Sequence, residues 1–179
     1  MAVNARAACL LTSEGELQTL NHDRAKLLIH KKPVLVCHAP YTRGKLEQQD
    51  FYAFDVLELF AFVHPGTFCV PTPHGISRVM GLPAPESFED VPGALFEITR
   101  ALLSDLQKDT NPDRVAEIAS VMGQQGKGWP WTPFVFAALG RVYKPEELVI
   151  SKTALNVWRH LPEWAEEAPE PPPSHHGVT

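Results

Sequence analysis

The densest apolar segment of the chain extends from Phe54 to Val63, with polar residues on both sides of it. The aromatic-rich stretch that begins at Phe51 is typical of a short buried strand. Asp55 follows that strand in a position suited to capping a helix, and Glu58 three residues later completes the pattern of a capping box. The helix is apolar on every side, so we expect it to be buried. Asp55 thus lies at the carboxyl end of a strand, where α/β sheets place their ligand sites.

The first fifty residues alternate between strand and helix patterns. In order, these patterns predict strands at 7–12 and 17–20 joined by a turn, a helix at 22–30, a strand at 33–37, a loop at 38–42 and a short helix at 43–49. Asn21 has a side chain suited to capping the first helix. The strand at 33–37 is apolar throughout, which predicts a central place in the sheet.

The rest of the chain has helical patterns, at 74–80, 90–106, 112–122, 134–139 and 152–160. Thr72 and Asp90 are the expected caps of the first two of these helices. The order of patterns predicts an α/β domain over 1–108 and a helical annex over 109–165 packed on it. The proline-rich stretch within 166–179 is typical of a polyproline II linker, and we expect the natural protein to continue beyond it.

Composition narrows the class of protein further. The 179 residues are 44% apolar and carry a net charge of −5, which suits one folded domain and argues against a strongly basic nucleic-acid-binding surface over the whole molecule. The cysteines are Cys9, Cys37 and Cys69, an odd and widely spaced set that fits a reducing compartment. No apolar run reaches the length of a membrane span, and the amino-terminal stretch lacks a signal-peptide pattern. We therefore expect a cytoplasmic protein.

Two familiar site patterns are not met. The segment from Gly123 to Gly128 is rich in glycine, but it lacks the spacing of a phosphate-binding loop and follows a helix, which indicates an interhelix loop. The eight histidines show none of the spacings of a zinc site.

Trp129 and Trp131 are the candidates for contact with nucleic acid, because Lys127 and Arg141 lie near them in the sequence. Indole rings beside cations can stack single-stranded bases. The alternative is that both indoles pack the helical annex onto the sheet domain, since Phe134 continues the same apolar density.

The order of elements over residues 5–106 resembles the DEDD family of 3′–5′ exonucleases, which have an RNase H-like fold. The matching positions are His38, Leu46, Asp55, Leu57 and the segment Ile76–Leu82. The resemblance implies an RNase H-like sheet with flanking helices, to which the helical annex is added.

The family's metal ligands are missing from the matching positions. Those nucleases hold two divalent metals with four carboxylates. The first acidic motif falls on Ala7–Leu11, which has no acid, and the second aligns a metal-binding Asp with Arg43. The third motif aligns Ser87 and Pro92 with its His and Asp. Asp55 matches a family Asp that is not a ligand. The resemblance therefore implies a nuclease-like domain without its metal site.

A second resemblance, to the N-terminal region of bacterial DinG-type ATP-dependent DNA helicases, covers the whole chain. It rests on the segments 57–63, 68–73, 128–134, 158–164 and 171–173. In that group an exonuclease-like domain, active or decayed, can precede the helicase core. The resemblance implies that ATP and Mg²⁺ bind to domains beyond Thr179, and that this part of the chain binds no cofactor itself.

Three hypotheses follow. The first is a non-catalytic accessory domain of a DNA helicase, which positions single-stranded DNA weakly or braces the downstream helicase domains of the same chain. Its candidate contacts are Arg43, Lys45, Lys127, Trp129 and Trp131. The second is a metal-dependent 3′–5′ exonuclease in which Asp55 and Glu58 share a helix face and bind Mg²⁺. The third is a protein-interaction module unrelated to DNA. We expect Asp55 to act as a helix cap.

Overall fold

The protein has a mixed α/β fold. A computed structural model describes residues 1–124 and 128–145. The predicted helix at 152–160, the linker at 166–179 and Lys127 lie outside these residues. The described strands are β1 (Ala2–Val3), β2 (Ala8–Leu11), β3 (Leu17–Leu20), β4 (Val34–Val36) and β5 (Ala53–Asp55). The described helices are α1 (His22–Ile29), α2 (Ala39–Leu46), α3 (Val56–Val63), α4 (Pro73–Val79), α5 (Val91–Leu106), α6 (Pro112–Gln124) and α7 (Thr132–Ala138).

The strands form an antiparallel sheet and a parallel pair. Strand β2 lies between β1 and β3 and is antiparallel to both. Strands β4 and β5 are parallel, with α2 as the connection between them. The Met1 amino nitrogen donates to the carbonyl oxygen of Leu35 at 2.6 Å, which brings the start of β1 against β4. The predicted hairpin is confirmed, and β4 has β5 as its one ladder partner among the described strands.

The capping residues behave largely as the sequence predicts. The Asn21 side chain accepts from Arg24 N, and Thr72 Oγ1 accepts from Gly75 N at 3.0 Å. Asp90 does not cap α5 with its side chain, because its carboxylate accepts from the backbone N and the hydroxyl of Ser87 instead.

Helix α2 begins earlier than the pattern predicts. The stretch 38–42 was expected to be a loop, yet the helix begins at Ala39, with Pro40 in its first turn. Proline is tolerated there because the first-turn N–H groups have no partner inside the helix. His38 occupies the N-cap position but makes no side-chain cap hydrogen bond. A carboxylate from elsewhere in the fold caps this helix, as described below.

The main hydrophobic core joins the helices on both sides of the predicted boundary at residue 108. The predicted α5 stripe is confirmed, since Leu95, Ile98, Leu102 and Leu106 are all buried. One cluster contains these residues together with buried side chains of α3, α4, α6 and α7. The helices of the predicted annex therefore share a core with the α/β part.

The apolar sequence of helix α3 predicts burial on every side, but one side of the helix is exposed. Val56, Leu59 and Phe60 are buried, whereas Glu58 and Ala61 are exposed. The exposed side borders a groove of about 860 Å³ between α3 and α6. In the described residues no helix has both the length and the apolar character needed to cross a bilayer.

Gly128 provides a sharp test of how α6 is joined to α7. Its φ is +76°, and a Cβ there would lie 2.4 Å from the carbonyl oxygen of Gly123. Gly140 has a similar φ of +70° but open space around it. We expect Gly140→Ala to lower the free energy of unfolding by about 1 kcal/mol, the usual cost of a side chain in this region. Gly128→Ala should cost clearly more, because the backbone must also move apart.

Urea denaturation of the two variants measures this difference directly. Equal losses of stability in Gly128→Ala and Gly140→Ala would contradict the close approach of Gly123 to Gly128.

Candidate functional site

The candidate site lies where the parallel strands β4 and β5 end. Asp55 is the last residue of β5 and is 3% exposed. One oxygen of its carboxylate, Oδ2, accepts from Ala39 N at 2.7 Å, and the other, Oδ1, accepts from Leu57 N at 2.9 Å. Ala39 begins α2 and Leu57 lies in the first turn of α3. A single carboxylate therefore caps two helices at once.

The expectation that Asp55 caps α3 is confirmed, and its second role was not foreseen. Leu57 N also donates to the carbonyl oxygen of Cys37 at 3.0 Å, which ties the start of α3 to the end of β4. The contact between Asp55 and Ala39 spans sixteen residues. Local sequence pattern carries no signal for it. The parallel order of β4 and β5 was the available indication, because it brings both strand ends to one edge.

Glu58 does not complete the capping box that its spacing had predicted. Its Oε2 accepts from the indole Nε1 of Trp129 at 3.1 Å instead. The ring of Trp129 also packs against Phe62, with centroids 4.8 Å apart. The physical reason is that an indole N–H with part of its surroundings removed from water requires an acceptor, and this exposed helix position supplies one.

Trp131 binds the same strand end from the other direction. Its Nε1 donates to the backbone oxygen of Asp55 at 2.8 Å, and its ring meets Phe54 edge-on at 5.0 Å. Trp129 and Trp131 are 9% and 3% exposed and belong to the main core cluster. Their rings therefore pack in the core, which is the second of the two roles considered for them.

The basic candidates Arg43 and Lys45 lie on the last turn of α2. The Arg43 guanidinium is half-buried over the ring of Phe51 at 5.2 Å, and the exposed Lys45 ammonium lies 5.5 Å from the centroid of Tyr41. Both cations thus lie over aromatic rings. Neither cation lies beside an exposed ring face of Trp129 or Trp131, because both indoles are buried.

Burial controls the electrostatics of this region. It raises the pKa of Asp55, while the N–H groups of Ala39 and Leu57 oppose the rise. It also raises the pKa of Glu58, with the charge of Asp55 adding to the effect and Trp129 and Arg43 opposing it. Burial raises the pKa of the Cys37 thiol to about 12, and the neighbouring Asp55 contributes to that rise.

The positions matched to the family's acidic motifs have different structural roles in this fold. Ala7–Leu11 falls largely on β2, the middle strand of the antiparallel sheet. Ser87 bonds to Asp90, and Pro92 is buried in the first turn of α5. Within residues 1–124 and 128–145 there is no group of three or more His, Cys, Asp or Glu side chains that could hold a metal ion.

The geometry of Asp55 and Glu58 offers little to a metal. A carboxylate that coordinates Mg²⁺ presents an oxygen toward open space or water. Each oxygen of Asp55 instead faces a backbone N–H, and Glu58 holds an indole N–H. A metal would have to use the remaining lone pairs of these oxygens, and the Asp55 side chain is almost fully buried. These hydrogen bonds hold the starts of two helices and the two tryptophans in fixed positions.

Comparisons of the chain with family models, with curated proteins and with solved structures found no match.

The double cap predicts a specific loss of stability. In Asp55→Asn, one amide oxygen remains as an acceptor and the NH₂ group faces the other backbone donor. A buried donor left without an acceptor costs about 1–3 kcal/mol. We expect that decrease in the free energy of unfolding at neutral pH, measured by urea denaturation.

Glu58→Gln is the matched control, because it removes the same charge from a position three residues away. Its amide oxygen can still accept from Trp129, so we expect little loss of stability. Equal destabilisation by both variants would indicate that charge, rather than the double cap, is what matters at Asp55.

The raised pKa values predict the direction of a pH effect. For Asp55 and Glu58 the folded-state pKa lies above the ordinary value, so the folded protein binds these protons more tightly than the unfolded chain does. The contribution of these groups to the free energy of unfolding therefore falls as the pH rises from the unfolded-state pKa through the folded-state pKa. Glu58→Gln should flatten the decrease when urea denaturation is repeated from about pH 4 to about pH 8. An unchanged slope would contradict the assignment to Glu58.

Proposed function

We propose that this chain is a non-catalytic accessory domain of an ATP-dependent DNA helicase, built on an RNase H-like frame. In this proposal the domain positions single-stranded DNA weakly or braces the helicase core of the same chain. ATP and Mg²⁺ belong to that core. The helical annex is part of the same domain, because its helices share the main core.

The arrangement of strands supports the fold part of the proposal. An antiparallel three-stranded meander is followed by two parallel strands joined through a helix. The hydrogen bond from Met1 to Leu35 brings the meander beside the parallel pair. A hairpin, a helix, a strand, a helix and a strand follow one another in the order on which the resemblance to the DEDD exonucleases rests.

The side chain at position 43 is the observation that carries the non-catalytic part of the proposal. A nuclease site needs carboxylate oxygens that face a metal. Asp55, which matches a family Asp that is not a ligand, accepts from the N–H groups of Ala39 and Leu57 at 2.7 and 2.9 Å. The position that aligns with a metal-binding Asp is Arg43, whose guanidinium lies over Phe51. A guanidinium at this position is a cation and supplies no ligand to a metal ion.

Arg43 and Lys45 support the proposed contact with DNA. They lie on the last turn of α2, two residues apart, and Lys45 is exposed. A short basic edge of this kind attracts phosphate groups without reading sequence. The net charge of −5 predicts that the attraction is weak and easily screened by salt.

A salt titration tests the DNA contact. We expect the full chain to bind a labelled single strand at low salt by fluorescence anisotropy. The double variant R43A/K45A should bind more weakly, and the slope of log K against log salt should become flatter by about 1.4, which is two phosphate contacts at about 0.7 each.

The matched control is R100A/K108A, which removes one cation from α5 and one from just beyond its end. Both are exposed and pair with acids on their own helix or at its end, so their loss should cost the fold little. Binding that is absent at low salt, or that falls equally in both double variants, would contradict the contact.

The helicase relation has its own test in the coding sequence beyond Thr179, where a Gly-Lys-Thr phosphate loop is expected.

A further inference from the structure

A strand-shaped slot lies in line with β1, beyond the amino end of Met1. It is a groove of about 750 Å³ between the second half of β2 and the first half of β4. Leu10, Leu11 and Thr12 form one wall, and Pro33–Leu35 form the other. Met1 closes one end of the groove.

The pairing of the strands explains why this slot exists. In the β1–β2 ladder, Ala2 pairs with Cys9 and Val3 pairs with Ala8. Leu10 and Leu11 continue β2 and pair with β3 on one side. On their other side, the described residues contain no strand that continues β1. Strand β4 likewise has β5 as its ladder partner, and only the Met1 nitrogen reaches it from the side of β1.

The Met1 nitrogen marks the line along which a further strand would run. It donates at 2.6 Å to the carbonyl oxygen of Leu35, a backbone acceptor of the kind that a ladder N–H uses. Burial lowers the pKa of this amino group to about 5. The buried nitrogen thus bonds to a strand carbonyl, as a backbone N–H of an added strand would.

The surface of the slot is largely apolar, and its charged lining residues are Glu14, Lys31 and Lys32. Leu11, Leu28 and Phe96 line it and are 42%, 47% and 58% exposed. Lys31 and Lys32 also line it and are exposed. Open apolar side chains beside unpaired strand edges are the features by which sheets take up an additional strand.

We propose that this slot binds an extended segment of a partner polypeptide by strand addition, in line with β1 and antiparallel to β2. Its apolar residues at alternate positions cover Leu11 and Phe96 on one face of the sheet, and a residue on the other face meets Leu28. The segment has an acidic residue near Lys31 and Lys32. This inference is independent of the proposed DNA contact, because α2 and its cations take no part in the slot.

The test attaches a strand ahead of Met1 in the full chain, so that its effective concentration at the slot is high. One variant has an extension of alternating Val and Thr that begins with Glu. Its control has Pro in place of each Val. Met1 keeps its peptide N–H in this control, but the prolines have no N–H to donate to a ladder. We expect the Val extension to raise Tm by about 3 °C or more relative to the Pro extension, by circular dichroism. Equal Tm values would overturn the proposal.

Two further arms define the occupant. The substitutions Lys31→Glu and Lys32→Glu together should reduce the gain in Tm from the Glu-led extension, and an undiminished gain would overturn the acidic preference. Sedimentation of the unextended chain tests for a second copy in the slot. A dimer that Leu11→Lys dissociates would overturn the assignment to a partner of a different sequence, and a monomer supports it.

Discussion

The structure depends on one carboxylate. Asp55 ends β5 and binds the first N–H of α2 and an N–H in the first turn of α3. The two helices follow β4 and β5 in the chain, so the strand order, both helix directions and the position of their starts are fixed at a single buried point. A carboxylate is suited to this because it accepts from several directions, and hydrogen bonds to a charged group are stronger than neutral ones.

The tryptophans extend this junction to the C-terminal helices. Trp131 binds the backbone oxygen of Asp55 and Trp129 binds the carboxylate of Glu58, so α7 is held against β5 and α3 by two indole N–H groups. The ring of Trp131 packs against Phe54, and the ring of Trp129 packs against Phe62. A shared core across residue 108 is the consequence, and it makes the annex a part of the domain rather than an attachment to it.

Local patterns predicted what local physics decides. The caps of α1 and α4 and the stripe of α5 were predictable, because side-chain capping and periodicity act within one helix. The start of α2 was not, since His38 supplies no cap and the acceptor comes from Asp55 in the next strand. Glu58 was misassigned because its true partner, Trp129, lies seventy-one residues away. The strand slot depends on the pairing of β1, which is too short to stand out as a pattern.

The most direct measurement of the central claim is a Mn²⁺ titration of the isotopically labelled chain followed by NMR. Paramagnetic Mn²⁺ broadens the signals of amides near its binding site. If Asp55 is a structural junction, the amide signals of Ala39 and Leu57 stay as sharp as those of distant residues through millimolar Mn²⁺. Selective, saturable broadening of these two signals that Asp55→Asn abolishes would contradict the account and place a metal at the end of the sheet.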